Sequence, residues 1–125
     1  MTQSLELGHP LERVEVDTIA DSMGAPFHEP VSFGVCNEVI DRIVLISDDS
    51  MCMAMAFAVD ELKLALEPAG CAVLAALAGP LRNECKGQSV AAILCGSNID
   101  TESWRKLVSR GREFQKHSGS SYSRS

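Results

Sequence analysis

The chain has 125 residues, of which 46% are hydrophobic and 22% charged, a composition typical of one soluble globular domain. Its net charge is −6, with no stripe of Lys and Arg to neutralise phosphates, which disfavours a nucleic-acid partner. No apolar run is long enough to span a bilayer, and residues 1–30 lack the pattern of a signal peptide, so we expect no membrane partner.

Cysteine and histidine usage gives no sign of a metal site. The five cysteines have no metal-binding spacing, and several lie in apolar stretches, which indicates reduced thiols in a cytoplasmic protein. The three histidines are far apart in sequence, which favours surface or loop positions over metal ligation.

The first third of the chain is predicted to contain two strands and one helix. Residues 1–12 have mixed polarity and are predicted to form a loose lead-in. Residues 14–20 alternate apolar and polar side chains, as a strand does, and a polar loop follows that is either a ligand wall or an ordinary connection. A short helix is predicted over residues 32–40, and a second strand over the β-branched run 42–46.

Two helices are predicted next. Ser47 and the acids after it indicate a helix start, and apolar spacing extends this helix to Ala65. We interpret its methionines as core-facing rather than as a promiscuous binding surface. Pro68 begins a second helix, whose residues 69–78 are apolar and small on all sides and are therefore predicted to be buried all round.

The apolar run at residues 90–94 does not alternate, which predicts a strand buried on both faces. Ligands bind beyond the carboxyl ends of such strands, where this chain has Cys95, Gly96, Ser97 and Asn98. The alternative is a core strand that ends in an ordinary turn.

The chain is predicted to end in an amphipathic helix and a polar tail. The helix covers residues 101–115, with Thr101 as its cap, and residues 118–125 are predicted to be disordered. The order of the elements predicts an α/β fold with a small, mostly parallel sheet flanked by helices.

Four segments, taken in order and spacing, resemble the carboxyl-terminal part of the pyridoxal-phosphate-dependent threonine/serine dehydratases and serine racemases. They are residues 18–21 (TIAD), 39–49 (VIDRIVLISDD), 63–70 (KLALEPAG) and 94–100 (LCGSNID). The resemblance covers roughly residues 4–102. It implies a partial three-layer sandwich of the tryptophan-synthase β-like fold, fold type II, and pyridoxal 5′-phosphate as the cofactor.

The resemblance also implies which residues meet the cofactor. Cys95 matches the family position that faces the pyridine nitrogen, and Gly96 follows it in the same turn. Glu67 matches the glutamate of a Glu-Pro-x-Gly-like segment on the ring side of the site. Ser22 stands where the family usually has glycine after aspartate.

Two features of the family are missing from the sequence. The Schiff-base lysine of a Ser-x-Lys-x-Arg segment is absent, so we assign no catalytic residue, and no tetraglycine loop is present to bind the phosphate. We therefore expect residues 1–117 to be the carboxyl-terminal part of a dehydratase-like domain, a fragment that is inactive alone. In the full-length enzyme the substrate is expected to be a small hydroxy amino acid, converted to a 2-oxo acid and ammonia. The alternative is a non-catalytic α/β module that binds a partner chain, a second copy or a small ligand.

Overall fold

The computed structural model describes residues 1–118, which belong to two compact units: Met1–Val44, and a second unit that begins at Leu45. The α-helices are α1 (Thr2–Leu7), α2 (Pro30–Val39), α3 (Asp48–Phe57), α4 (Pro68–Ala78) and α5 (Thr101–Ser118). None of these described helices combines the length and hydropathy required to cross a membrane.

In the first unit, residues 1–12 are not the loose lead-in that the sequence predicts, because α1 forms there and packs on α2. Ser4 of α1 is fully buried, accepts a hydrogen bond from the Leu11 N–H (3.0 Å) and lies 2.6 Å from Nδ1 of His28. Tertiary contacts of this kind stabilise a helix whose own sequence is too short to be stable. His28 is in a loop as predicted, but it is buried.

Helix α2 confirms the helix predicted over residues 32–40, with Pro30 in its first turn. The polar loop ahead of it contains a single 3₁₀ turn, Asp21–Met23.

The second unit is organised around α3, which packs against both α4 and α5. As predicted, Ser47 caps this helix: its Oγ accepts a hydrogen bond from the Ser50 N–H at 3.2 Å. The methionines of α3 face the core, with Met51, Met53 and Met55 all buried. They are core residues rather than a binding surface.

Helix α3 is shorter than predicted. It ends at Phe57 and continues as one π-helical turn, Ala58–Leu62, after which Lys63 adopts a left-handed conformation (φ 61°). A left-handed residue ends a helix, so the expected continuation to Ala65 is wrong. The π turn is held to α5 by the Asp60–Arg112 ion pair (2.6 Å).

Helix α4 begins at Pro68 as predicted, but its predicted burial on every side is wrong. Its buried residues are Pro68, Gly70, Cys71 and Ala75, and the others are half-buried.

The predicted parallel sheet is not observed in residues 1–118, where no strand is present. Residues 14–20, 42–46 and 90–94 are extended or irregular without pairing into a ladder. Residues 90–94 are not buried either, and Ile93 is 82% exposed. A strand needs a neighbour for its N–H and C=O groups. In the first segment Val14 donates its N–H to the Pro26 carbonyl at 2.9 Å, but no ladder forms in the described residues.

Helix α5 confirms the predicted amphipathic helix, with a correction at its start. The cap is Asp100 rather than Thr101, because Oδ1 of Asp100 accepts hydrogen bonds from the N–H groups of Glu102 (3.1 Å) and Ser103 (2.9 Å). Ser118 ends α5, and the rest of the predicted tail lies outside the described residues.

Candidate functional site

The turn after the extended segment 90–94 lies against the first residues of α4. Gly96 has a positive φ of 88°, which reverses the chain direction just after Cys95. The N–H of Ile99 then donates to the Ser97 carbonyl at 2.9 Å, which closes the turn ahead of α5.

Glu67 joins the two segments by two hydrogen bonds. Its backbone N–H donates to the carbonyl of Gly96 (3.1 Å), and its side-chain Oε2 accepts from the N–H of Asn98 (2.8 Å). A carboxylate is a stronger acceptor for a backbone N–H than a neutral group. The Gly96–Asn98 turn is therefore fixed to the residue that precedes α4.

Two glycines permit this close approach. A Cβ added at Gly70, in the first turn of α4, would overlap the carbonyl oxygen of Cys95. A Cβ at Gly96 would lie 2.5 Å from Oε1 of Glu67. At Gly70 the two motifs pack backbone against backbone, which a side chain there would prevent, whereas at Gly96 the backbone packs against the Glu67 side chain.

Helix α5 braces the same region. The indole Nε1–H of Trp104 donates to the carbonyl of Leu66 (3.1 Å), one residue before Glu67. Hydrogen bonds from Ser103 hold the pKa of the Asp100 carboxyl below its usual range, so at neutral pH the cap of α5 is charged.

The cysteines of this unit differ in environment. Cys95 is exposed, whereas Cys71 of α4 is buried, and burial raises the pKa of the Cys71 thiol to about 12. A buried thiol of this kind is an inert packing group. Cys95 is therefore the thiol of the turn that a ligand can reach.

Three of the four residues predicted for the site come together: Glu67, Cys95 and Gly96 meet in one turn–helix junction. The fourth, Ser22, belongs to the first unit, where its backbone N–H donates to Oδ1 of Asp21 at 2.8 Å. Sequence reasoning missed the role of Gly70, although its place in the Glu-Pro-Ala-Gly motif was a usable signal.

No group of His, Cys, Asp and Glu side chains in residues 1–118 is arranged to hold a metal ion.

The comparisons with known proteins cover most of this chain. Residues 1–96 match the family described as pyridoxal-phosphate dependent enzyme. The chain is 40% identical over 111 residues to a phenylserine dehydratase of Ralstonia pickettii, a match that spans 89% of this chain and 34% of that protein. It is 32% identical to the chloroplastic threonine dehydratase 2 of Solanum lycopersicum, spanning 86% of this chain and 18% of that protein.

Solved structures agree with the sequence matches. The processed form of threonine deaminase isoform 2 from Solanum lycopersicum superposes with a TM-score of 0.77 at 31% identity, covering 87% of this chain and 32% of that one. Serine racemase from Dictyostelium discoideum gives a TM-score of 0.65 at 26% identity, covering 78% and 31%. Both are enzymes of fold type II.

These matches define the class of protein, the pyridoxal-phosphate dependent enzymes, whose solved members described above have fold type II. This chain belongs to the pyridoxal-phosphate dependent enzyme family, and it spans about a third of the length of phenylserine dehydratase.

The turn fits one edge of pyridoxal phosphate. Cys95 offers an exposed thiol, and an S–H group can donate a hydrogen bond to a ring nitrogen. A Cβ at Gly96 would overlap the Glu67 carboxylate, so the glycine leaves room for that carboxylate beside the turn. The fit therefore concerns the pyridine nitrogen of the cofactor.

Proposed function

We propose that this chain supplies the pyridine-binding side of a pyridoxal-phosphate ammonia-lyase that converts a small hydroxy amino acid to a 2-oxo acid and ammonia. The observation that carries the proposal is the junction of Cys95 and Gly96 with Glu67. The names of the relatives, phenylserine dehydratase and threonine dehydratase, support the substrate class.

The cofactor, when bound, acts as an electron sink for the amino acid. The Cys95 thiol would donate a hydrogen bond to the pyridine nitrogen of the bound cofactor. An aspartate at this position would hold a proton on that nitrogen and strengthen the electron sink. With Cys95 in place of an aspartate, the cofactor would be a weaker electron sink. A weaker sink favours early loss of the β-hydroxyl group of the substrate, which suits elimination.

The proposal extends to the other predicted residues and to the setting. Glu67 and Gly96 form the ring side of the site, and Ser22 lies beside the ring in the assembled enzyme. Residues 1–117 correspond to the carboxyl-terminal part of the dehydratase domain. The free cysteines support a reducing, cytoplasmic location.

The exposed segment 90–94 supports a second part of the proposal. In this segment Ile93 is 82% and Val90 47% exposed, and the backbone is unpaired. An unpaired apolar strand is completed by neighbouring strands. We propose that the parallel sheet forms when polypeptide equivalent to the remaining two-thirds of the relatives is present, and that the chain has no turnover without it.

Complementation tests the proposal. The 125-residue chain is co-expressed with the part of Ralstonia pickettii phenylserine dehydratase that lies outside the matched 34%. We expect the two polypeptides to co-purify and to release ammonia from phenylserine or threonine, with no release by either polypeptide alone.

A different result would favour the non-catalytic module, the second candidate. In that case the chain would purify as a folded monomer, would not bind the complementing polypeptide, and would give no ammonia in its presence. Turnover by the isolated chain would also contradict the proposal, because the chain has no cofactor-binding lysine in the family's motif.

A further inference from the structure

The carboxylate of Glu67 is engaged with the protein backbone. Oε2 accepts the N–H of Asn98 at 2.8 Å, while the backbone N–H of Glu67 donates to the carbonyl of Gly96 at 3.1 Å. The two contacts lie two residues apart on the turn, so Glu67 holds that turn at two points.

Gly96 accepts the second of these two hydrogen bonds and also faces the side chain of Glu67. A Cβ there would be 2.5 Å from Oε1 and 2.8 Å from Cδ of Glu67, so the carboxylate lies directly across the backbone of Gly96. Gly96 has a positive φ of 88° and directly follows Cys95. The carboxylate of Glu67 therefore packs on the backbone of the residue next to Cys95.

We propose that Glu67 is a positioning residue, which fixes the Gly96–Asn98 turn and so sets the direction of the Cys95 thiol. Its role in holding the turn is independent of the cofactor. The consequence for catalysis, a thiol held in place for the pyridine nitrogen, rests on the proposed function. A charged acceptor suits this role because it holds an exposed N–H more strongly than water does.

The test uses the full chain without cofactor. Cys36→Ser and Cys85→Ser leave Cys95 as the exposed thiol beside the buried Cys52 and Cys71. Glu67→Ala and Glu67→Gln are made in this background. Glu113→Ala, at an exposed glutamate on α5 of the same unit, is the matched control.

Two measurements are made on each variant. NMR hydrogen exchange follows the Asn98 amide and the buried Ala54 amide, and iodoacetamide measures the alkylation rate of Cys95.

For Glu67→Ala we expect exchange at Asn98 to rise about tenfold, as loss of a charge-assisted hydrogen bond predicts, with a changed Cys95 alkylation rate. Glu67→Gln should restore part of the protection, because its side-chain oxygen still accepts from the Asn98 N–H but carries no charge. Exchange at Ala54 and the Glu113→Ala control should stay at the wild-type rates.

Unchanged exchange at Asn98 in Glu67→Ala would overturn the inference. Equal acceleration of exchange at Asn98 and Ala54 would also overturn it, because it would indicate a general loss of stability. Failure of glutamine to rescue would also contradict it. The exchange and alkylation measurements are made without cofactor, so they do not depend on the proposed function. If they give the expected rates and the complementation experiment fails, only the proposed function is contradicted.

Discussion

The indole N–H of Trp104 donates a hydrogen bond to the backbone carbonyl of Leu66 at 3.1 Å, across 38 positions of the sequence. Leu66 immediately precedes Glu67, so α5 braces the polypeptide that enters the candidate site. Helix α5 lies beyond residues 1–96, the part that matches the family, yet it supports the residues within that match.

Substitution of Trp104 by Phe should weaken this brace. Phe retains an aromatic ring but lacks the N–H, so the carbonyl of Leu66 loses its donor. We expect the free energy of unfolding to fall by about 0.5–1.5 kcal/mol, the usual contribution of such a hydrogen bond. Urea denaturation followed by circular dichroism measures the change, and stability equal to the wild type would contradict the importance of this contact.

Gly111 is where α5 comes closest to α3. A Cβ at this position would overlap the backbone carbonyl of Cys52. We expect Gly111→Ala to destabilise the second unit by about 1–3 kcal/mol through overpacking. Ser109→Ala, at an exposed position of the same helix, is the control and should change stability by less than about 0.5 kcal/mol. A stabilised Gly111→Ala variant would show that α3 and α5 are further apart than the structure has them.

Cysteine reactivity should follow burial. Burial raises the pKa of the Cys52 thiol to about 11 and that of Cys71 to about 12, so neither forms much thiolate at pH 8. In the folded protein, we expect iodoacetamide to modify Cys95 well before either of these, as measured by peptide mass spectrometry. Cys52 and Cys71 should react only after urea is added. Rapid modification of Cys52 in the folded chain would be inconsistent with its position under α5.

The cap of α5 should make stability depend on pH. Hydrogen bonds from Ser103 lower the pKa of Asp100 from 3.8, so the folded state favours the carboxylate. The stability from this group is therefore complete above pH 3.8 and is lost as the pH falls through the lowered pKa. Asp100→Ala should reduce the Tm at pH 7 and have little effect at pH 2.

Asp100→Asn is the matched variant, because asparagine caps a helix without titrating. At pH 7 the Tm of Asp100→Asn should differ from that of the wild type by less than the Tm of Asp100→Ala does. An equal loss for Asp100→Ala at both pH values would show that the carboxylate charge has no part in the cap.

Helix starts could be predicted from the sequence because their signals are local. Ser47 and Pro68 each mark a helix start through the hydrogen bonding or backbone angle of one residue, and both predictions are confirmed. The end of α3 could not be predicted, since the π turn at Ala58–Leu62 leaves the apolar spacing intact. The cap of α5 was placed one residue late because Asp100 and Thr101 are both good capping residues.

The sequence names Ser22, Glu67, Cys95 and Gly96 as candidate site residues from three motifs, and their roles stay predictions. The hydrogen bond from the Asn98 N–H to Glu67 joins positions 31 apart, and no local pattern encodes such a contact. The predicted sheet fails for a physical reason: hydrophobicity marks residues 90–94 as a strand, whereas a strand exists only where a partner segment pairs with it.

The most direct test of the account is a crystal structure of the complemented complex grown with pyridoxal phosphate. The account predicts that Sγ of Cys95 lies within hydrogen-bonding distance of the pyridine nitrogen, with residues 90–94 paired in a parallel sheet. A cofactor whose pyridine nitrogen contacts a different residue, with Cys95 outside the site, would contradict it.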